Sequence, residues 1–599
     1  MRLRRCALAL AAVAATWAAV IATTGGGTFF LGELRVSSRS AWRPAVAALA
    51  LVAAALWRTT ADERRQLLAA VGRGADRSAP WLAGAVTLAS VIVSVVLGTH
   101  VAGAADASGY VSQSRLWAAG RVTAPAPRLI DAPWPDRGRL VSPLGYRPAV
   151  TVDELGPTYA PGLPWLMAAG AAVLGDAGRY VWTPIGAGVL VWGTYALTAA
   201  AAPPAVALGA ALLVAGSPPV LWESMQTMSD LPVAALWVWV LVWLRKGGTR
   251  ATIGAGVVAA IALAVRPNLV LAAGGVWVAS LAADGGPLAA RLRRAAVRAV
   301  PLALAALAVA LLNTYLWGSP FISGYGPAGE IFGAANVVPN LRTAWAWTVE
   351  TRGYWAGLGL GALAGLALRR EGARWWPGLG LAAGVFASYL PYAQFVEWWY
   401  LRFYLPVWPV AAAALTVVVW RWAGRWSPEG ARLAIVGAAL VTALSGVTYA
   451  DSRAAFSLWR GEQRYAAVGD YVRTHASDDA VIFAVQHSGA IAYYGERVIA
   501  RFDDVATEAF DRLCLTLAAS GRDVWLVVED WEEPEIRTRF DSQLRGRLDW
   551  APLAEARAGS ARVRVFDLVT PTRATGPELI PVATRGPWPW ARRAGALAK

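Results

Sequence analysis

Between residues 7 and 449 the chain is a succession of apolar runs separated by short clusters rich in arginine. The runs are roughly 15–20 residues long, the length a helix rising about 1.5 Å per residue needs to cross the hydrocarbon core of a bilayer. Of the 599 residues 57% are hydrophobic and 16% charged, against about 45–50% and 25% in soluble chains. The pattern predicts a polytopic α-helical membrane protein. Among the 32 tryptophans, Trp57, Trp81, Trp317, Trp376 and Trp420 stand at the ends of runs, where an amphipathic ring suits the headgroup layer or packs in a core.

The net charge of +16 is not gathered into one patch, which argues against nucleic acid as a partner. It falls at Arg2–Arg5, Arg58–Arg77, Arg245–Arg250, Arg291–Arg298, Arg369–Arg374 and Arg421–Arg432. If these clusters face the cytoplasm, the runs between them must cross and return. Residues 7–23 then lead out as a retained first helix, 43–57 return, and 81–103 lead out again to a polar loop at 104–160. Later, 299–316 lead out, 354–368 return, 377–392 lead out, 403–420 return and 433–449 lead out. Between 161 and 244 four runs (163–175, 181–201, 203–217 and 229–244) stand where an odd number of crossings is needed, so one must lie flat, re-enter or merge. About 13 spans are expected in an inner (plasma) membrane.

After Asp451 the apolar runs give way to mixed sequence. Ala480–Gln486, Asp523–Val528 and Ala561–Leu568 read as strands, and Glu462–His475 and Val505–Ser520 as amphipathic helices. Together they predict a small extracytoplasmic α/β domain. The expected organisation is 1–103 N-terminal helices, 104–160 first outer loop, 161–450 remaining membrane region, 451–570 α/β domain and 571–599 disordered tail. Cys6 and Cys514 make no disulfide framework. With His100, His475 and His487 dispersed, no closed zinc site is expected.

Candidate chemistry lies on the predicted outer side. Asp106, directly after a span, can accept a proton from a hydroxyl; it can equally cap a helix through Val111–Trp117. Downstream, Asp131, Asp136, Asp153, Glu154 and Arg115, Arg121, Arg128, Arg139 and Arg147 are ordinary loop charges or, as a group, a phosphate holder. The run Tyr159–Pro164 returns into the membrane. Ser217–Pro232 interrupts apolar sequence with Glu223 and Asp230, either functional groups at depth or a loop with Asp230 as a cap. Arg266 in Val265–Asn268 is another candidate. Arg402 at the end of Pro391–Arg402 can hold an anionic lipid phosphate or snorkel as an anchor.

The motifs D-A-S-G-Y (106–110), Y-A-P-G-L-P (159–164), M-S-D-L-P (228–232), R-P-N (266–268), G-S-P-F-I-S-G-Y-G (318–326) and W-W-Y-L-R (398–402) resemble those of bacterial membrane glycosyltransferases. The group is the GT-C superfamily, with its protein mannosyltransferases and the aminoarabinose transferases of lipid A. Q-H-S-G (486–489) and Y-Y-G-E-R (493–497) resemble the tail domain of such proteins. The resemblance implies transfer of a sugar, with inversion, from a polyprenyl-phosphate donor to a glycan, lipid or protein acceptor at the outer face of the bilayer. It implies that Asp106 is the catalytic acid–base group. Ala107 follows it where many relatives carry a second acidic residue, so no metal ligands are assigned and a divalent cation stays open as a cofactor. Tyr110, Arg147, Tyr159, Asp230, Arg266 and Arg402 are the expected substrate-binding residues, with Arg402 and Arg266 ahead of Arg147 as phosphate clamp. Two rival readings are a transporter or lipid flippase of envelope glycan precursors, and a non-catalytic scaffold.

Overall fold

The computed structural model describes residues 60–129, 137–370, 372–570 and 576–583, with 27–31, 34–38, 42–57 and parts of 6–21. Arg2–Arg5, Asp131, Asp136, part of the expected first span and most of the tail lie outside the described residues.

The membrane part is a helical bundle. A capping box between Thr60 and Glu63 starts the 37-residue helix Ala61–Leu97, satisfying backbone donors that a helix start leaves bare. Leu88, Ile92 and Val96, four residues apart, are 50–59% exposed on it. The helix Leu288–Trp317 likewise turns Val300, Leu304, Leu307 and Leu311 outward. Apolar stripes facing away from the protein need a lipid environment.

Among the described residues five helices are long and apolar enough to cross a membrane: Arg65–Leu97, Gly248–Val265, Leu288–Trp317, Trp398–Ala423 and Pro428–Ser452. A sixth is the pair Pro204–Ala215 and Pro218–Ser224, bent by 63°. Further apolar helices of 13–18 residues are Gly162–Leu174, Trp182–Ala199, Asp230–Lys246, Val270–Ala283, Tyr354–Ala367 and Trp376–Tyr389, of which Val270–Ala283 is not among the runs named from the sequence. The four runs between 161 and 244 are all helical, but the first does not carry the chain across: it starts at Pro161 on the cavity wall, and the turn Gly175–Tyr180 after it packs back on Gly170 and sets Tyr180 against His100, beside Thr99 of the same wall. The remaining three make the odd number required, and the third run is bent. Pro218 and Pro219 cannot continue the helix that ends at Ala215, so the chain turns there and delivers Glu223 and the segment after it to the site.

The C-terminal region forms a six-stranded mixed sheet in the order Glu578–Ile580, Ala554–Ala558, Ala561–Asp567, Val524–Glu529, Val481–Phe483, Val498–Ala500. Val524–Glu529 runs parallel to Val481–Phe483 and antiparallel to Ala561–Asp567. Alternate side chains cover opposite faces: Phe483, Leu526 and Val528 pack with Phe510, Leu513 and Phe540, whereas Ile482, Trp525 and Val527 pack with Val468 and Val472 of the helix Leu458–His475. The three strands read from sequence are present with shortened ends. The helix expected over Val505–Ser520 begins only at Phe510, after two 3-10 turns. Glu578–Ile580 pairs with Ala554–Ala558, so the sheet extends into the stretch expected to be a disordered tail.

This domain is docked on the first loop. The Leu144 amide donates to Ser488 Oγ (3.0 Å) and the Ala102 amide to Tyr494 Oη (2.8 Å). Gly489 lies so close to Ser108 that a Cβ would strike its hydroxyl. The loop at 104–160 and the C-terminal domain therefore sit at the same end of the bundle.

Candidate functional site

The helix Ala105–Ala118 opens the site. Its N-cap is Ala104, without a side-chain cap bond, so Asp106 does not cap it. The carboxylate stands in the first turn, where helix polarity favours negative charge, and turns into a cavity. Tyr159 Oη donates to Asp106 Oδ1 at 2.8 Å, and Arg402 Nη2 lies 3.5 Å from Oδ2. The rest of the D-A-S-G-Y run is equally constrained. Ser108 meets Gly489, Gly109 has no room for a Cβ beneath the Tyr159 ring, and Tyr110 Oη shares a hydrogen with Ser229 Oγ at 2.9 Å. The Tyr110 and Tyr159 rings pack 4.5 Å apart.

Asp230 is the first residue of the helix Asp230–Lys246 and makes no capping bond. It is 1% exposed and sits behind the cavity wall. Its Oδ2 is 2.7 Å from Arg266 Nη2, and its Oδ1 is 4.0 Å from Arg402 Nε. Arg266 is placed by the break that Pro267 imposes: the residue before proline is driven out of helical geometry, and Arg266 has φ −141°, ψ 87° between the helix Gly248–Val265 and the turn Pro267–Leu269. Its Nε donates to Ser229 Oγ (3.0 Å) and its Nη1 to Tyr389 Oη (2.8 Å). Arg402 lies in the 3-10 segment Trp398–Val407, with Tyr400 and Phe403 rings 5.0 and 5.4 Å from its guanidinium. Glu223, fully buried on the short helix Pro218–Ser224, stands within electrostatic reach of Asp106, Asp230, Arg266 and Arg402.

Six of the seven expected residues thus converge: Asp106, Tyr110, Tyr159, Arg266 and Arg402 line one cavity, and Asp230 bridges the two guanidiniums from behind. Arg147 does not line it. Its guanidinium donates to the Gly324 carbonyl at 3.0 Å and so pins the neighbouring loop. The cavity measures about 670 Å³, within the range of small-molecule sites. Sequence reasoning did not select Ser229, Tyr325, Tyr389, Glu462 or Gln486, all on its wall. Ser229 and Tyr325 lie inside quoted motifs, which was the available signal. Gln486 likewise opens the motif Q-H-S-G, whereas Tyr389 and Glu462 come from distant segments that only the fold brings together.

Glu462 and Gln486 belong to the C-terminal domain and are held by a buried polar network. Gln486 donates from its backbone amide to Glu532 Oε1 (2.9 Å) and from its side chain to Tyr465 Oη (3.0 Å). Behind them Arg464 Nε and His487 Nε2 contact Glu529 Oε1 at 2.9 and 3.0 Å. His487 and Arg464 hold the Glu529 carboxyl at about 2, well below the usual range, despite its burial. Burial pushes Glu532 up to about 7 and depresses His487, which favours its neutral form.

For a divalent cation the donor set is poor. Such an ion needs about six oxygen ligands, and the Asp106 oxygens face Tyr159 and Arg402. Among the described residues no group of three or more His, Cys, Asp or Glu side chains is arranged to hold a metal.

No family model matches the chain, and no curated protein sequence does. Among solved structures it is similar to ArnT from Cupriavidus metallidurans bound to undecaprenyl phosphate, at a TM-score of 0.49 and 12% identity, over 82% of this chain and 99% of that one. It is also similar to the Archaeoglobus fulgidus oligosaccharyltransferase AglB in complex with an inhibitory peptide and a dolichol-phosphate (TM-score 0.46, 13% identity, 78% and 72% covered). A third is the mycobacterial arabinofuranosyltransferase AftD (0.45, 17%, 75% and 36%). With every score below 0.5, function has to be read from the site itself.

Proposed function

We propose that the chain is a multi-pass membrane glycosyltransferase that moves a sugar from a polyprenyl-phosphate carrier to an acceptor hydroxyl, at the outer face of an inner membrane. The observation that carries this reading is one open carboxylate, Asp106, set 3.5 Å from a guanidinium, Arg402, that shares a buried counter-ion with a second, Arg266. Glycosyl transfer from a phosphodiester needs those two functions side by side: a base for the incoming hydroxyl and fixed positive charge for the departing phosphate.

The proposed step is a single displacement. The acceptor oxygen attacks the anomeric carbon on the face opposite the phosphate. The new C–O bond forms as the C–O bond to phosphate breaks, which inverts the centre. The acceptor proton passes to Asp106, and the bond electrons leave with the carrier phosphate, received by Arg402 and Arg266. Asp230 keeps both guanidiniums in place, and Tyr159 orients Asp106 by its 2.8 Å hydrogen bond. No step is routed through a metal. Glu462 and Gln486 bring the C-terminal domain to the cavity wall, and we assign that domain to acceptor binding. Membrane orientation follows the arginine clusters, with about 13 crossings once the short buried helices are counted as spans.

The test is reconstitution of the full chain in liposomes with a panel of radiolabelled polyprenyl-phosphate sugars and an envelope extract as acceptor. Covalent transfer of label is expected. Label that crosses the bilayer without bond formation would instead identify a transporter or flippase.

A further inference from the structure

A second cavity, of about 370 Å³, lies at the other end of the bundle. Three helices connect the two. Asp230–Lys246 carries Asp230 at the site and Arg245 at the second cavity. Val270–Ala283 follows Arg266 and ends beside Asp284. Trp376–Tyr389 begins near Arg374 and ends at Tyr389. A 17-residue helix is about 25 Å long, so the cavities open toward opposite membrane surfaces.

The second cavity has an apolar wall, with Leu197, Leu241, Leu244 and Val410, and a charged rim. Arg245 lies over the Trp375 ring at 4.3 Å and donates to the Leu197 carbonyl at 3.4 Å. Arg374 stands near enough to repel it, and neither has a carboxylate partner among the described residues. The one acid on the rim, Asp284, is already held by Arg294 (3.2 Å) and Arg298 (2.7 Å). Among the described residues the rim therefore carries two guanidiniums without a carboxylate, Arg245 and Arg374, and one acid already neutralised. Arg298, whose side chain is 5% exposed, lies off the cavity lining and serves to hold Asp284, which leaves Arg245 and Arg374 as the cations that face the cavity.

We infer that this cavity binds the phosphate of an anionic phospholipid, with Arg245 and Arg374 on the headgroup and the acyl chains along the apolar wall. Arginine forks match phosphate oxygens, and basic pockets between membrane helices at the positive end hold anionic headgroups. The ligand is a resident of the leaflet opposite the proposed reaction, and the inference stands whether or not sugar transfer is observed.

The experiment is native mass spectrometry of the purified full chain with phosphatidylglycerol, phosphatidylcholine or inorganic phosphate added in separate arms. Phosphatidylglycerol should be retained about tenfold over phosphatidylcholine, a difference of about 1.4 kcal/mol. Arg245→Gln/Arg374→Gln should abolish that preference, and the charge-keeping Arg245→Lys/Arg374→Lys should retain most of it. Arg374 is exposed, so Arg374→Gln alone gives a folded partial-loss variant should the double one misfold. Equal retention of the two lipids, an undiminished preference in folded Gln variants, or displacement of phosphatidylglycerol by millimolar inorganic phosphate would each overturn the assignment.

Discussion

Asp106, the proposed base, is held in the cavity by two contacts of different kinds. Tyr159 donates a hydrogen bond to one oxygen and Arg402 faces the other. A hydrogen bond to a charged group contributes about 1.5–3 kcal/mol, so Tyr159→Phe should lower transfer by roughly 10–100-fold. Steady-state rates in reconstituted membranes would reveal this, and an unchanged rate would remove Tyr159 from the site. Arg402 reaches Asp106 and Asp230 at once, which a lysine cannot reproduce with a single point charge. Arg402→Lys should raise the donor KM and cut kcat by about 10²-fold, in the range of lost transition-state donors; a change in KM alone would make Arg402 a ground-state anchor. At this scale the sequence was informative where a polar residue interrupts apolar surroundings, as at Asp106, Asp230 and Arg266. It was silent on direction. Arg147, a candidate clamp ranked behind Arg402 and Arg266, is aimed by the strand Tyr146–Pro148 at the Gly324 carbonyl.

The element that matters most is a break. Without Pro267 the helix Gly248–Val265 could run on toward Val270–Ala283, and Arg266 would lose its extended backbone. Pro267→Ala should therefore impair transfer at least as much as a change to one contacting side chain, with protein still inserted; normal activity would show that the break is not what aims Arg266. The second element is the buried network of the C-terminal domain. Glu532, raised to about 7, binds a proton more tightly folded than unfolded. Its contribution is fully present below about pH 4.5 and is lost as pH rises through about 7. Glu532→Gln should remove that slope, so that the variant gains up to ~3 kcal/mol relative to the parent chain between pH 4.5 and 7. Hydrogen-exchange protection of Val524–Glu529, corrected for intrinsic rates, would measure it, and parallel profiles would contradict it. The three apolar or alternating strands were readable because β-rich composition marks them. Ala554–Ala558 (AEARA) was not, since its residues favour helix and only pairing with Ala561–Asp567 makes it a strand.

For the whole molecule, hydropathy registers the helices that lipid touches. Leu288–Trp317 and Arg65–Leu97 expose apolar stripes and are easily recognised. Val270–Ala283 and Trp376–Tyr389 pack against each other and are only 14 residues long; run length marks the second, at 377–392, and misses the first. The crossing count failed between 161 and 244, and that is where the bundle is bent and the site assembled. The docked loop and domain fix one end of the bundle as the site's end. If the arginine clusters face the cytoplasm, a cysteine at Glu508 in a chain lacking Cys6 and Cys514 should react with an impermeant maleimide in intact cells. A cysteine at Arg250 should react only after permeabilisation, and the opposite result would invert the topology.

The account rests most heavily on Asp106 as the base, and Asp106→Asn tests it directly. The variant keeps shape and hydrogen-bond reach but cannot take a proton. With the full chain correctly inserted in liposomes and supplied with labelled carrier, transfer should fall by about 10²–10⁴-fold, the usual worth of a general base, with donor binding retained. Transfer at the parent rate by an inserted, donor-binding Asp106→Asn protein would contradict it.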